Sequence, residues 1–381
     1  MRQKTIARKK LPVTAASSPF SSPVIHKPTS RELRRIQETL ERILIQDLVP
    51  FYFPATLDWV DGGYRLNHDG TGKWRGPGRK NLLTQSRTLW FYSRLYNSPY
   101  GHPDQLEAAR HGFVFLRDKM RNKRTGQSYA EVSSNGEKSF GPASHEHATT
   151  LLYALSEFGS ASKDKQALSL AADQMRWIAQ QSRTQSKAES IRSLLPMLES
   201  VSAYYRLTGN PVAKAMLMKL LLLQAGAGLK AAKGKNLSYG GEMESIWLTI
   251  EGMNALGLSN NTMRNFYAAT FARALKGGFD KNHGGFYTSR TDTRKLWWVQ
   301  AESLLGSLWM YRLTGAPVAY NCFKKTLDWV AQHQVDWKNG DWHFGIKKSG
   351  TVFGDKAGLH KSPFHQARAL LHCLELLIKF N

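Results

Sequence analysis

Cysteine is almost missing: the 381 residues contain only Cys322 and Cys373, which excludes a disulfide framework and a thiolate metal cluster. Both lie in apolar helical runs, where a thiol reads as inert core. Acidic residues are scarce too, 29 Asp and Glu against 53 Lys and Arg, for a net charge of +24. Such an excess attracts anions. An acidic sugar or polysaccharide, a nucleic acid and an anionic surface are the functional readings, beside the plain one of a solvated basic exterior. Zinc-finger spacing, an aromatic and basic RNA-binding strand and a basic recognition helix are all missing, which argues against nucleic acid as a partner. No apolar run approaches the ~20 residues that cross a bilayer, so no membrane partner is expected.

What remains is a globular composition, 41% hydrophobic and 22% charged, in a chain long enough for one large domain or two average ones. Residues 1 to 29 are rich in Ser, Pro, Lys and Arg and lack apolar periodicity. They start like the basic region of a signal peptide, but Leu11 to Ala16 is too short and too polar to continue as one. This segment is expected to be a disordered basic tail on a cytoplasmic protein, with a single domain over residues 30 to 381.

Order begins where Thr29 or Ser30 can cap a helix in which Leu33, Ile36, Leu40, Ile43 and Leu44 recur at helical spacing. Long helical patterns then alternate with short Gly, Asn and Pro breaks. β-type alternation is confined to stretches such as Gly62 to Leu66 and Gly284 to Tyr287. A loose repeat of helix, short turn and amphipathic helix starts at Ser93, Ser156, Tyr204 and Met310. The last two copies, YYRLTGNPVA and MYRLTGAPVA, are nearly one phrase. Hairpins of ~50 residues fit the length about six times, and closing them into a toroid buries every apolar face, where an open solenoid would need polar terminal repeats. Trp and Phe run to both ends, which favours closure. The expected fold is therefore all-α, an (α/α)6 barrel.

Three blocks carry a resemblance. GGYRLNHDGTG followed by KNLLTQSRTLWFYSRLYN places Gln85, Arg87 and Trp90 on one helix; GFDKNHGGFYTSRTDTRKLWWVQAESL supplies Lys295, Trp297, Trp298, Gln300 and Glu302; KSPFHQARALLHCL supplies His365 and Arg368. In this order and on this repeat, the blocks are similar to the motifs of the N-acylglucosamine 2-epimerase superfamily of sugar epimerases and isomerases. The resemblance implies a six-hairpin barrel, a small carbohydrate substrate, neutral or anionic, and neither cofactor nor metal.

The chemistry is intelligible from the residues. A sugar site needs aromatic faces against the apolar side of a pyranose and charged groups on its hydroxyls. Trp90, Trp297 and Trp298 are candidates for the first role, with core packing as the alternative. The two adjacent tryptophans point about 100° apart on a helix, so only one of them can face a lumen. Arg87 and Glu302 sit in inward-looking patterns where a charge must be paired or liganded, by substrate or by a structural ion pair. Gln300 and Arg368 join Arg87 as candidate substrate contacts.

Epimerisation beside a carbonyl needs a base to remove a proton and a group to return it on the other face, and histidine suits both. The resemblance implies three such histidines, and two are replaced. Matching Glu199 puts Pro196 at the first position, and matching Glu244 and Trp247 puts Gly241 at the second. Only His365 stands. His360, and His147 rather than His145, are the further candidates, with Glu244 and Glu302 as carboxylates that orient polar groups or move protons. The spacing of these histidines does not point to a metal site. The leading expectation is a sugar epimerase or isomerase working by proton abstraction. A lyase or hydrolase acting on a uronic-acid glycan, and a non-catalytic sugar or partner binder, are the rivals.

Overall fold

The computed structural model describes residues 27–184, 189, 193–231 and 238–378; the expected tail lies outside these as far as residue 26. Thr29 belongs to the ordered domain. Its hydroxyl accepts the Glu32 amide at 3.2 Å and caps the first helix.

Among the described residues twelve long helices follow one another: α1 (Ser30–Arg42), α2 (Leu82–Tyr96), α3 (Pro103–Lys119), α4 (His145–Ser162), α5 (Lys165–Thr184), α6 (Leu194–Thr208), α7 (Pro211–Ala231), α8 (Tyr239–Ala255), α9 (Arg264–Gly278), α10 (Trp297–Thr314), α11 (Pro317–Trp329) and α12 (Phe364–Ile378). The near-identical phrases at Tyr204 and Met310 make the same corner. α6 and α10 each end at a left-handed glycine, Gly209 and Gly315 (φ 65° and 64°), and α7 and α11 each begin on a proline. A Cβ-free residue past the last turn and a ring that fixes the first φ are the ordinary stop and start of helices.

The even-numbered helices form an inner ring in which each packs on the next and α12 closes back on α2. The odd-numbered helices lie outside, α3 on α2, α5 on α4, α7 on α6, α9 on α8, α11 on α10 and α1 on α12. This is the expected (α/α)6 toroid. Inner helices touch neighbours on three sides, which is why α8 and α10 are apolar nearly all round instead of amphipathic. Short inner-to-outer connections make each pair antiparallel, so all six inner helices run the same way and gather their N-termini at one mouth.

Two small antiparallel sheets rim that mouth: β1 (Lys80–Asn81), β2 (Tyr129–Val132) and β3 (Ser139–Pro142), and β4 (Lys295–Leu296), β5 (Gly345–Ile346) and β6 (Val352–Phe353). β1 pairs Lys80 with Val132 and runs into α2; β4 pairs Lys295 with Ile346 and runs into α10. The segments expected to alternate, Gly62 to Leu66 and Gly284 to Tyr287, are instead tight turns with single bridges at Tyr64 and Phe286. Real strands of two to four residues are too short for a period of two to show in sequence.

A repeated clamp fixes where α2, α10 and α12 begin. Gln85 accepts the Tyr64 amide at 2.9 Å and donates to its carbonyl at 2.8 Å. Gln300 does the same to Phe286, at 2.7 Å each way. Five residues upstream, Lys80 and Lys295 bind Asp58 and Asp280 at 2.8 and 2.9 Å. In the third copy Asp341, left-handed like Gly63 and Gly285 (φ 56°, 68° and 73°), uses its carboxylate to take Gln366 at 2.9 Å together with Lys361.

Candidate active site

Arg87, Glu199, Glu244 and Glu302 are each the sixth residue of their inner helices, α2, α6, α8 and α10, and Arg368 is the fifth of α12. One turn nearer the mouth come His147, Pro196 and Gly241, third in α4, α6 and α8, with Trp298 and His365 second in α10 and α12. Helices that share direction and register therefore bring residues 281 positions apart to one level of the lumen. Six helix N-termini around that level favour negative charge there.

Arg368 is the hub. Its guanidinium donates to Glu199, to Glu244 at 2.8 Å and to Glu302 at 2.6 Å, with only 1% of its side chain exposed. Glu302 also accepts the Trp247 indole N–H at 2.8 Å and lies 2.7 Å from His365 Nδ1. Arg368 and Trp247 can only donate. Glu302 is thus engaged as an acceptor. Arg368 Nη2 also lies 3.4 Å from His365 Nδ1, but the shorter 2.7 Å contact to the Glu302 carboxylate decides, so Nδ1 carries the hydrogen and Nε2 keeps its lone pair. Nε2 makes no hydrogen bond among the described residues.

Burial, and then the charge of Arg87, hold His365 well below the usual histidine pKa, so the imidazole is neutral and able to act as a base. Burial pushes Glu244 up to about 7, opposed by Arg87. Burial and the Glu244 charge push Glu302 up as well, against its Trp247 hydrogen bond. The two carboxyls titrate as one system. Although Glu302 is the more strongly raised of the two, its two obligate donors, against the single one at Glu244, favour placing the shared proton on Glu244.

Arg87 is half-buried 5.0 Å over the Phe364 ring and forms no ion pair among the described residues; its Nε has no partner at all. That departs from the structural ion pair weighed as its alternative. Trp298 is half-buried, its ring centre 6.0 Å from that of His365, and it packs on Gly240, where a Cβ would come within 2.6 Å of the indole. Trp297 is buried against Phe344 at 4.5 Å, leaving Trp298 as the more exposed ring of the pair.

Three expected substrate contacts are corrected. Trp90 is fully buried, stacked on Tyr153 at 5.4 Å and edge-on to Phe364, with no face left for a ligand. Gln300 spends its amide on the Phe286 clamp. Arg368 has both terminal nitrogens bound to carboxylates and organises the site from behind. His360 is exposed in the loop before α12, apart from the buried cluster. Sequence reasoning used Glu199 only as an alignment mark and missed its place on Arg368; its spacing of three from Pro196, matching Glu244 and Gly241, was the available signal.

Glu244, Glu302 and His365 present donor atoms within 4.8 Å of one another, as a metal site would. The Arg368 guanidinium already lies among them and supplies the positive charge, so the geometry does not call for an ion. Pro196 sits in the first turn of α6, where a missing N–H costs nothing. At Gly241 a Cβ would meet only Ser238 Oγ, at 3.2 Å. Both cysteines are buried, which raises their thiol pKa away from the reactive thiolate. Among the described residues no helix is long and apolar enough to cross a membrane.

Comparison with known proteins places this geometry among sugar-converting barrels. The sequence pattern of the family described as N-acylglucosamine 2-epimerase matches residues 62–217 and 232–369. The cellobiose 2-epimerase of Bacteroides fragilis is 22% identical over 390 residues, 90% of this chain and 98% of its own. The human N-acylglucosamine 2-epimerase is 22% identical over 92% of this chain and 93% of its own. The solved cellobiose 2-epimerase of Spirochaeta thermophila has the same fold, with a TM-score of 0.81 at 22% identity over 92% of this chain and 99% of that one.

Proposed function

This chain belongs to the N-acylglucosamine 2-epimerase family, and from that premise we propose that it is a sugar epimerase or isomerase acting on the open-chain form of a reducing sugar by proton abstraction beside the carbonyl. The observation that carries the reading is the neutral His365, held at Nδ1 by Glu302 at 2.7 Å with Nε2 free. A carboxylate that fixes the tautomer and orients the ring is what a histidine base requires.

The remaining groups have complementary roles. Nε2 of His365 takes the proton from the carbon next to the carbonyl, and the C–H electrons become the enediolate double bond. The unpaired Arg87 holds the oxygen on which negative charge develops; its fork of donors suits an oxyanion better than a point charge does. Glu244, protonated near neutrality, passes a proton to or from a substrate oxygen. Two groups whose surroundings push their pKa values apart make an acid and base pair. Trp298 stacks on the apolar face of the sugar. The residues at Pro196 and Gly241 cannot titrate, so proton transfer rests on this rearranged set.

The test is NMR of neutral and uronic reducing sugars incubated with the protein in deuterated water. Deuterium appearing at the carbon beside the carbonyl is the expected result. Unsaturated or cleaved products would transfer the barrel to lyase or hydrolase chemistry, and no turnover across the panel would favour a binder.

A further inference from the structure

The first turn of α4 holds a second imidazole that the scheme above does not use. His145 turns outward, its ring 6.1 Å from that of Trp177 on the outer helix α5. Two residues along a helix turn the side chain by about 200°, so His147 faces the opposite way, toward the lumen.

Its tautomer can be read from its partners. The Ser144 backbone N–H, which can only donate, points to His147 Nδ1 at 3.3 Å, and the Ser144 hydroxyl lies 2.7 Å from the same nitrogen while it accepts the His147 amide. Nδ1 is therefore an acceptor and Nε2 carries the hydrogen. This is the reverse of His365, whose Nδ1 donates to Glu302. Nε2 of His147 is buried and has no hydrogen-bond partner. A desolvated N–H left unpaired is costly, and a ligand oxygen would recover that cost.

Position in the ring gives that oxygen a place. α4, α2 and α12 are consecutive inner helices, so Arg87 on α2 stands between His147 and His365. With neighbouring axes about 8–10 Å apart, the imidazoles on α4 and α12 face one lumen from either side of Arg87. Burial lowers the pKa of His147, against the charges of Glu146 and Glu131 and together with that of Arg87, which favours the neutral ring.

Resting on the proton-abstraction reading, we infer that His147 is a further catalytic residue, a neutral imidazole whose Nε2–H donates a hydrogen bond to the sugar's carbonyl oxygen and, with Arg87, forms a two-donor site for the enediolate. No proton leaves His147. His365 Nε2 gains the proton from carbon, the C–H pair becomes C=C, the carbonyl π pair moves to oxygen, and both donors shorten onto that oxygen as its charge grows. Return of that proton from His365 Nε2 to the adjacent carbon, with Glu244 carrying the hydroxyl proton from one oxygen to the other, completes an aldose–ketose interconversion. No oxidant or reductant is needed.

The experiment measures deuterium incorporation beside the carbonyl for the full chain and for His147→Phe and His147→Gln, using whichever sugar of the panel the wild type exchanges. Phe keeps a flat ring without a donor, and Gln restores an N–H. Removing one oxyanion donor typically lowers turnover on the order of 100-fold or more. The expected result is that loss in kcat for His147→Phe, with KM changed only a few-fold, and recovery of at least about ten-fold in His147→Gln. Exchange by His147→Phe within a few-fold of wild type would overturn the assignment, as would equal loss in both variants with a matching fall in thermal midpoint. Wild-type protein that exchanges no sugar would sink the proton-abstraction reading itself, a separate outcome.

Discussion

Nδ1 of His365 and Nη2 of Arg368 meet at one atom, Glu302 Oε1, at 2.7 and 2.6 Å. That oxygen joins the base to the hub of the carboxylate cluster, so the orientation of His365 depends on α10 as well as on its own helix. Replacing His365 with Asn keeps size and one hydrogen bond but cannot accept the carbon proton. Deuterium exchange into the sugar should fall on the order of 100-fold or more while far-ultraviolet circular dichroism and the thermal midpoint stay close to wild type. Near-normal exchange would remove His365 from the mechanism.

The near-neutral titration expected for a histidine belongs to the carboxyls instead, since burial takes His365 below that range and lifts Glu244 to about 7. Turnover that needs protonated Glu244 should decline as pH rises through about 7, and Glu244→Gln should be slower and lack that decline. A carboxyl raised above its ordinary value favours the folded state while protonated and loses that contribution as pH climbs through its folded value. The wild-type thermal midpoint should therefore fall as pH rises from about 4.5 to about 7 and level off above that, and fall less in the variant. A rate profile identical in both proteins would count against the assignment.

Arg87 has no carboxylate within ion-pair distance among the described residues, so its conservative replacement should cost little stability. Arg87→Lys swaps a fork for a point charge and is expected to lose ten-fold or more in kcat/KM with the unfolding midpoint in urea nearly unchanged. The reverse pattern, normal turnover with several kcal/mol of lost stability, would identify a structural residue.

The toroid was legible because helical periodicity and the doubled corner at Gly209 and Gly315 are local signals that the ring preserves. The level of the lumen at which residues meet was not. Arg87 and Arg368 both read as substrate-binding cations, but only tertiary packing decides that Arg368 takes the carboxylates and Arg87 takes none. Gln300 reads as a substrate contact from a motif next to aromatics, and Gln85 stands in the matching motif. Their recurrence comes from holding the Gly-Gly turns, a backbone duty invisible in side-chain chemistry. Pro196 and Gly241 are legible in the sequence as residues that cannot titrate, yet nothing there reveals the tautomer of His147, which rests on a backbone N–H.

The third clamp is the most deeply buried, with Asp341 and Lys361 each at or below 1% side-chain exposure. Lys361→Met leaves that carboxylate without its cation and should cost about 3–5 kcal/mol, read from urea denaturation, with Lys295→Met as the shallower comparison. Because Gln366, bound to Asp341 at 2.9 Å, adjoins His365, exchange activity should fall before the fold does. A loss under about 1 kcal/mol would mean that the pair contributes little beyond a surface bridge.

His365 and Arg368 both ride on α12, the helix that seals the ring against α2. On the ribosome this helix emerges after every other element of the barrel has been made. Until it docks, Glu199, Glu244 and Glu302 lack the guanidinium that binds all three. A chain without α12 therefore has neither its base nor the hub of its carboxylates, so competence for chemistry and completion of the ring come together.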